Sequence, residues 1–307
     1  MTIEVLEMSH EDIYKANIEW NNIPVWSRLS MLSSYQHSRI LCAVNKGTPL
    51  SYWLLPYRME TNCIEREYRC LPYSAPIFLT DNTIDQRSIV RSFFEYMTNK
   101  FDYIELPLCI GFQETAAVQS VGAFVEWRHT NIIYKNMGIQ YERRLRNHIS
   151  NARKHITVKK STNIIDFNEC LAIKGNLDEQ RRRGLCAEIW LKDGSAQMFL
   201  GCINQTQYAG IYILFDSFGA YLLHSWRIEE APRGAIEYLI TEAIQWTFNE
   251  LKLSFFDFEG SVLYNIDSFF RGFNTKVVPY GYVHWSKNKN HLLQLVLNSI
   301  NIEGRIV

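Results

Sequence analysis

The sequence lacks the features of an exported, disulfide-bonded or membrane-spanning protein. Its seven cysteines are odd in number and show no C-x2-C pairing, which argues against a disulfide framework and against a zinc site. The N-terminal MTIEVLEMSHEDIYK carries acids where a secretory signal would carry bases and an apolar core, and no later window holds roughly 18 uncharged apolar residues. We therefore expect a cytoplasmic protein with reduced cysteines, no metal and no membrane span.

The sequence also lacks net charge and has little proline or glycine. Its 32 basic and 32 acidic residues cancel, so the whole molecule exerts no strong pull on nucleic acid, and we expect no DNA partner. Only 8 prolines and 15 glycines leave little room for long linkers. What is present is apolar and aromatic, with 47% hydrophobic residues, and 307 residues suit two ordinary domains, each with its own core.

In the first half, the predicted elements run in the order strands, helix, strand. Two apolar runs flank a turn-like Asn-Lys-Gly-Thr-Pro, which predicts a hairpin. Apolar residues at helical spacing within RSIVRSFFEYMTNK predict a helix, and FDYIELPLC directly after it predicts a strand. The extended segments predicted here are 39–43, 51–55, 68–78 and 101–109.

The second half repeats this order. Three apolar runs predict strands, an apolar face within AIEYLITEAIQWTFNE predicts a helix, and SFFDF predicts a further strand. We interpret the repetition as an internal duplication. The three strands are predicted at 198–203, 208–215 and 221–226.

Between the halves lies YERRLRNHISNARKHITVKK, which predicts a basic amphipathic helix at about 141–157. Its apolar residues fall at i, i+3, i+4, i+7 and i+11, while the other face carries bases against a single acid, Glu142. Such a run is either a solvated helix face whose bases pair with acids elsewhere or an electrostatic seat for phosphates. The bases are Arg143, Arg144, Arg146, Arg153 and Lys154, with Lys159 and Lys160 just beyond.

The pairing of RRLRNHISNARKHI with the later FDFEGSVLYNIDSFFRGFN resembles the FemAB-type branch of the GNAT acyltransferase superfamily. The resemblance implies an α/β (α+β) fold of two tandem GNAT-like domains, with central mixed β-sheets flanked by helices. We place the first domain at 1–135 and the second at 136–307, beginning with the basic helix. The implied activity is transfer of an acyl or aminoacyl group from an activated carrier to an amine.

Two departures from the family pattern favour one donor class. Phe270 replaces a lysine and Asn274 a glycine that bridge-forming members carry, and no heptad run forms a tRNA-binding arm. We therefore expect an acyl-thioester donor, acyl-CoA or acyl carrier protein. An aminoacyl-tRNA-dependent transferase of the peptidoglycan-bridge type and a non-catalytic GNAT-fold binding module stay open as alternatives. The expected acceptor is a small-molecule or lipid-linked amine, such as an amino sugar, an amino acid or a bacterial cell-envelope precursor, and the expected assembly a monomer or homodimer.

The resemblance also implies where the donor binds. GNAT folds hold the donor amide along the edge of the strand before the second helix, which corresponds here to 222–226 and includes Leu223 and Ser225. The donor phosphates would lie at the start of that helix, where proline fits the first turn and free N–H groups bind anions. Only Arg233-Gly234-Ala235 remains of the usual phosphate signature, and the added positive charges are Arg227, Arg233 and Arg271.

The catalytic candidates lie in FDFEGSVLYNIDSFFRGFN and in the strand at 221–226. Asp257 and Glu259 alternate onto one side of SFFDFEG, and Glu259 at the strand end is the first choice for a general base. Asp257 is either a second acid of the cleft or a structural residue, which caps the following loop or pairs with Arg271. His224, expected on one strand face with Trp226 and Leu222, is the second choice of base. The resemblance implies that Tyr264, in the loop after the strand, is the candidate acid for the leaving thiolate, since many GNAT enzymes carry such a tyrosine in this region.

Overall fold

The computed structural model describes two compact units. The first comprises Met1–Arg128 with Pro279–Val307, and the second comprises His129–Val278. The described residues are 2–16, 18–19, 23–28, 38–57, 59–65, 73–171, 177–260 and 264–294.

The described residues of the first unit include two sets of paired strands and the helices α1, α2 and α3. Strands β1, β2, β3 and β5 form an antiparallel sheet in that order. Strand β4 pairs in parallel with β6, which pairs antiparallel with β13. The elements are β1 (Glu4–Met8), α1 (His10–Lys15), β2 (Ser38–Asn45), β3 (Thr48–Pro56), β4 (Cys63–Glu65), β5 (Ile77–Phe78), α2 (Thr83–Lys100), β6 (Tyr103–Pro107), α3 (Thr115–Gln119) and the later β13 (Lys276–Ser286).

The predicted hairpin and helix of this unit are confirmed. Strands β2 and β3 meet at Lys46 and Gly47, both at positive φ, which matches the twist of a two-residue hairpin turn. Helix α2 begins after Asn82, whose side chain accepts the N–H of Ile84, and packs Phe93 against the indole of Trp53. The extended segment predicted at 68–78 lies partly outside the described residues.

The second unit is a mixed sheet in the order β7-β12-β11-β10-β9-β8. Among the strands that the structure describes in this unit, only β11 and β12 pair in parallel, and α7 makes the crossover that such a pair requires. The elements are β7 (Phe124–Tyr134), α4 (Arg143–Arg153), β8 (Thr157–Ser161), α5 (Ile164–Leu171), α6 (Leu177–Lys192), β9 (Ala196–Ile203), β10 (Thr206–Phe215), β11 (Gly219–Arg227), α7 (Ala235–Asn249), β12 (Phe255–Asp257) and α8 (Tyr264–Arg271). Three-residue 3-10 turns lie at Val25–Ser27, Met59–Thr61 and Lys135–Met137.

The core of this unit lies between α7 and one face of the sheet. Leu239 and Ala243 of α7 cluster with Ile211, Ile213 and other buried residues of the central strands. The basic helix predicted at 141–157 is α4, with Leu145, Ile149 and Ala152 buried in the same cluster. The strands and the helix predicted for this half are confirmed.

The division between the units differs from the domain boundary expected at 135/136. It falls inside β7, between Arg128 and His129, and again inside β13, between Val278 and Pro279. The described residues from Pro279 onwards belong to the first unit, because this part of β13 pairs with β6. Within the described ranges, no helix is both long and apolar enough to cross a bilayer.

Candidate active site in the second unit

The central feature of the second unit is a fork between two parallel strands. β11 and β12 pair at three positions only, and the last pair is Tyr221 with Asp257. β11 continues to Arg227, still paired with β10 on its other side. Its edge towards β12 therefore leaves the ladder after Tyr221, and a strand edge can hydrogen-bond an extended ligand.

A β-bulge lies in β11 just beyond the fork. Tyr212 pairs with His224 but Ile213 pairs with Leu222, so Leu223 is the extra residue. His224 was expected on the same strand face as Leu222. The extra residue at Leu223 breaks the alternation of side chains, so the two lie on opposite faces. Leu222 packs into the α7 core, whereas the His224 ring lies 6.0 Å from Phe167 of α5.

The residues expected to bind the donor chain lie along this edge and differ in solvent exposure. Leu223 and His224 are half-buried, Ser225 and Arg227 are exposed, and Trp226 is buried. The Trp226 indole covers Gly210 so closely that a Cβ there would lie 2.1 Å from it. Trp226 is thus a packing residue, and the exposed groups of the edge are those of Ser225 and Arg227.

Asp257 is the last residue of β12, and its side chain is fully buried. Its Oδ1 accepts hydrogen bonds from the hydroxyl of Thr130 and from the backbone N–H of Glu259 at 2.8 Å. A hydrogen bond to a charged group contributes about 1.5–3 kcal/mol, so these partners offset much of the cost of burial. Asp257 therefore caps the turn after the strand, one of the two roles that the sequence left open.

The turn that follows is tight and left-handed. Glu259 has φ 59° and Gly260 φ 55°, and a non-glycine residue in this region is strained. A Cβ on Gly260 would lie 2.2 Å from the carbonyl oxygen of His129, so the turn packs directly on β7. Glu259 itself is half-buried. The hydrogen bond to Asp257 and the packing of Gly260 together fix the backbone of Glu259 directly after β12.

The electrostatic effect of Asp257 extends to a neighbouring strand. Tyr134 pairs with Phe255 at the start of β12, and its side chain is half-buried. Burial, and then the negative charge of Asp257, raise the pKa of Tyr134. The buried carboxylate of Asp257 therefore acts electrostatically on a side chain of the adjacent strand β7.

The start of α7 is closely packed, although its arginines are exposed. Gly234 has φ 93°, and a Cβ there would lie 2.1 Å from the carbonyl oxygen of His148 in α4. Gly234 and Ala235 are buried under that helix, whereas Arg227 and Arg233 are exposed. Glu237 occupies the first turn of α7 and lies 3.1 Å from Nδ1 of His148. The positive charge of the expected phosphate seat would therefore come from the two arginines.

Helix α8 carries two further candidates. Tyr264 is its first residue and is 68% exposed. Arg271 pairs with Asp267 one turn earlier at 2.6 Å. Asp267 also accepts a hydrogen bond from Asn131 of β7 at 2.9 Å, and this bond between Asn131 and Asp267 anchors α8 to the sheet. Ser261, a turn candidate after the strand, lies outside the described residues.

Sequence reasoning missed the two β7 residues that support this site. Thr130 and Asn131 are fully buried and bind Asp257 and Asp267 respectively. The available signal was the polar pair Thr130 and Asn131 directly before the apolar end of FVEWRHTNIIY. A polar residue inside a buried strand needs a partner, which marks it as part of a network.

The basic helix α4 divides into paired and unpaired charges. Arg153 pairs with Glu242, and the following Lys159 and Lys160 pair with Asp166 and Glu250. The three bases near its start are exposed and form no ion pair with any residue that the structure describes: Arg143, Arg144 and Arg146. This end of the helix is an open positive surface.

Comparison with solved structures places these observations in a known fold. FemX matches with a TM-score of 0.61 at 15% identity, over 95% of this chain and 99% of FemX. A tandem GNAT protein from the clavulanic acid biosynthesis pathway matches with a TM-score of 0.57 at 7% identity, over 93% and 98% of the two chains. The chain has a tandem GNAT fold. The expected α/β (α+β) architecture and the FemAB-like resemblance are confirmed as a likeness of fold.

A third solved structure has the same fold. It is the C-terminal domain of a protein described as a lysylphosphatidylglycerol synthetase from Agrobacterium fabrum, with a TM-score of 0.61 at 12% identity, over 94% of this chain and 95% of that one. No protein-family model and no curated protein matches the sequence. Within the described part of the chain, no group of three or more His, Cys, Asp or Glu side chains is arranged to hold a metal ion.

Proposed function

We propose that the second unit is an N-acyltransferase that moves an acyl group from an acyl-thioester, acyl-CoA or acyl carrier protein, to an amine. The observation that carries the proposal is the fork of β11 and β12, with a bulge at Leu223 on one strand and an acid turn at the end of the other. Such a fork offers backbone groups to a donor and places a carboxylate at the opening.

The donor would bind along the free edge of β11. In this arrangement the backbone beside Leu223 and Ser225 pairs with the amide groups of the donor arm, and Arg227 lies at the end of the edge. Arg233, Gly234 and Ala235 at the start of α7 would face the phosphates, with Arg233 supplying charge because it is exposed. Arg271, the third cation expected for the donor, lies on α8 and pairs there with Asp267.

The chemical step needs a base for the amine and an acid for the thiolate. We assign the base to Glu259, with Asp257 as the positioning residue that holds its backbone. The amine nitrogen forms a bond to the thioester carbon, its proton passes to the Glu259 carboxylate, and the carbon–sulfur bond breaks. The leaving thiolate takes a proton from the Tyr264 hydroxyl. His224 is the second candidate base, because its half-buried ring lies on β11 beside the bulge.

A second candidate is an aminoacyl-tRNA-dependent transferase. The exposed arginines at the start of α4 favour it, since Arg143, Arg144 and Arg146 form no ion pair within the described residues. Cations of this kind bind phosphate backbones with an affinity that falls steeply as salt rises. An acidic carrier protein would use the same charges. The amine acceptor, small-molecule or lipid-linked, is part of the proposal in both cases.

A thermal-shift comparison tests the donor class. The purified chain is melted with coenzyme A, acetyl-CoA, longer acyl-CoA and a tRNA pool. We expect one acyl-CoA at about a hundred times its Kd to raise the Tm by about 4–9 °C, because a ligand that binds only the folded state stabilises it by mass action. Arg227→Ala and Arg233→Ala should reduce the rise, and Arg91→Ala on α2 is the control.

The other outcomes have distinct readings. A rise with tRNA alone, lost in an Arg143→Ala, Arg144→Ala, Arg146→Ala triple variant and lost in high salt, would replace the thioester proposal by the second candidate. A rise with acyl-CoA but no transfer to any amine would favour a non-catalytic binding module that keeps the fold. No rise with any ligand would contradict coenzyme A as the carrier.

A further inference from the structure

One end of the sheet in the second unit presents apolar and basic side chains to solvent. Three loops are joined there by backbone hydrogen bonds. The N–H of Lys135 donates to the carbonyl of Ser254 at 2.9 Å, and the N–H of Ser254 donates to the carbonyl of Phe218 at 3.3 Å. Strands β11 and β12 begin at this end and separate at the other, so the loops lie apart from the site proposed for acyl transfer.

Two exposed apolar side chains stand on these loops. Phe218, in the turn between β10 and β11, is 44% exposed, and Met137, at the end of the 3-10 turn after β7, is 38% exposed. A single exposed apolar residue is ordinary on a soluble protein. Here the two occupy neighbouring loops that are joined through Ser254.

The turn that carries Phe218 is held firmly from beneath. Asp216 is buried, and its Oδ1 accepts the N–H of Phe218 at 2.8 Å and that of Gly219 at 3.0 Å. Its Oδ2 accepts the hydroxyl of Tyr221 at 3.2 Å. A Cβ on Gly219 would lie 2.3 Å from the ring of Phe255, so that ring packs directly on the turn. A side chain on such a fixed backbone loses less entropy on binding.

Three exposed lysines surround the apolar pair. Lys135, Lys252 and Lys276 form no ion pair with any residue in the described part of the chain. Nζ of Lys276 lies 5.9 Å from the ring centroid of Tyr134, the last residue of β7, which places it at this end of the sheet. We call the five exposed residues the basal patch: Lys135, Met137, Phe218, Lys252 and Lys276.

Nearby acids do not neutralise these lysines. Glu250 lies two residues before Lys252, but both of its oxygens bind Lys160 at 2.7 Å. Asp216 is buried and accepts the three hydrogen bonds that hold the turn. Asp193 is exposed, but it precedes β9 and so lies beyond β10 in the strand order. The exposed charge of the basal patch is therefore positive.

The residue types of the basal patch favour one kind of partner. A lysine ammonium is a point charge on a flexible stem, which suits a diffuse anionic surface, whereas the planar fork of arginine suits fixed phosphate or carboxylate geometry. Separate phenylalanine and methionine side chains suit insertion at a lipid headgroup boundary. A stable protein interface would instead need on the order of 800 Å² of fixed surface on each side.

We infer that the basal patch binds the surface of a bilayer that contains anionic lipid. Phe218 and Met137 enter the headgroup layer, and the ammonium groups of Lys135, Lys252 and Lys276 lie above the lipid phosphates. The inference concerns a reversible surface contact of the second unit and does not depend on the acyl-transfer proposal.

Co-sedimentation of the full chain with vesicles tests the inference. One set of vesicles is phosphatidylcholine alone, and the other contains about one third phosphatidylglycerol. We expect binding to the anionic vesicles to be at least about tenfold tighter than to the neutral ones, and to weaken as salt rises. Free glycerol 1-phosphate should not displace the chain, because separate lysines attract an extended surface. Displacement would overturn the inference in favour of a pocket for one phosphate.

Variants of the basal patch separate its two contributions. Phe218→Ser should weaken vesicle binding about tenfold, and Ile165→Ser, which removes an exposed isoleucine of α5, should leave it unchanged. A Lys135→Gln, Lys252→Gln, Lys276→Gln triple variant should weaken binding to anionic vesicles at least about thirtyfold.

The matched control for charge is the Arg143→Ala, Arg144→Ala, Arg146→Ala triple variant, which loses the same number of positive charges from α4. We expect it to bind the anionic vesicles as the parent does. The inference is overturned if the parent does not bind anionic vesicles at low salt, if it binds neutral vesicles equally well, or if folded basal-patch variants bind as the parent does. A dimer in ultracentrifugation that Phe218→Ser dissociates would also overturn it, by assigning the patch to self-association.

Discussion

Oδ1 of Asp257 lies 2.8 Å from the backbone nitrogen of Glu259 and accepts its N–H. The bond closes the turn after β12 and holds Glu259 in a left-handed conformation at φ 59°. Two acids that sequence alternation would aim into one cleft therefore differ in role. The first is buried and shapes the backbone, and the second is half-buried and is the one proposed to act on the amine.

This difference predicts unequal effects of substitution at Asp257. Asp257→Asn keeps an oxygen at Oδ1 for Thr130 and Glu259, so we expect it to fold and to retain at least about a tenth of the transfer activity. Asp257→Ala leaves both donors buried without an acceptor and should cost about 2–3 kcal/mol of unfolding free energy. Urea denaturation and initial-rate assays check the pair. Equal loss of activity in a fully folded Asp257→Asn protein would assign Asp257 a direct chemical role.

Substitution of Gly260 tests the packing of the same turn. A Cβ at this position would meet the His129 carbonyl oxygen at 2.2 Å, in addition to the strain of a positive φ. We expect Gly260→Ala to lower the unfolding free energy by more than about 2 kcal/mol. Gly138→Ala is the matched control in the same unit, because Gly138 has φ 69° and open space around it. Similar losses in the two variants, measured by denaturant unfolding, would show that the close approach has no cost.

The first unit has its own titratable network, centred on Glu126. Arg128 donates to both carboxylate oxygens at 2.9 and 2.8 Å, and His284 lies 2.9 Å from one of them. Burial by itself raises the pKa of Glu126, but the hydrogen bonds and charges of His284 and Arg128 outweigh it and lower the pKa to about 2.

The lowered pKa predicts how stability depends on pH. A group whose folded pKa lies below its unfolded value stabilises the protein above the unfolded pKa, near 4.5, and loses that contribution as the pH falls towards 2. The contribution amounts to about 3 kcal/mol at most. We expect the Tm difference between the parent chain and Glu126→Gln to be largest near pH 6 and to shrink between pH 4.5 and 2. A difference that stays constant over this range would contradict the assignment.

The regular elements could be predicted from the sequence because their apolar periodicity is local. The helix α7 and strands β9–β11 carry apolar patterns, and the spacing that predicts α4 at about 141–157 gives the helix but not its bounds, which are Arg143–Arg153. Strand β13 contains Pro279 and Gly281, which weaken a strand pattern, and β7 carries Glu126 and Arg128. Both strands were missed, and with them the point where the chain returns to the first unit.

The candidate site could be predicted only in part, because its contacts join distant positions. Thr130 meets Asp257 across 127 residues, and Asn131 meets Asp267 across 136. Neither spacing leaves a periodic signal. The bulge at Leu223 likewise reverses the faces of β11, which strict alternation does not foresee. The sequence did predict that a strand ends near Asp257 and that Glu259 follows it in the turn.

The most direct test of the account measures amine-dependent thiol release by the parent chain and by Glu259→Gln. The donor is the acyl-CoA found by thermal shift, the acceptors are a panel of amines, and the matched control is Glu250→Gln on the exposed end of α7. The account predicts turnover in the parent and the control, a loss of at least about a hundredfold in Glu259→Gln, and an unchanged thermal shift by the donor. Full turnover in a folded Glu259→Gln protein would contradict the assigned base, and thiol release by no protein with any amine would contradict acyl transfer itself.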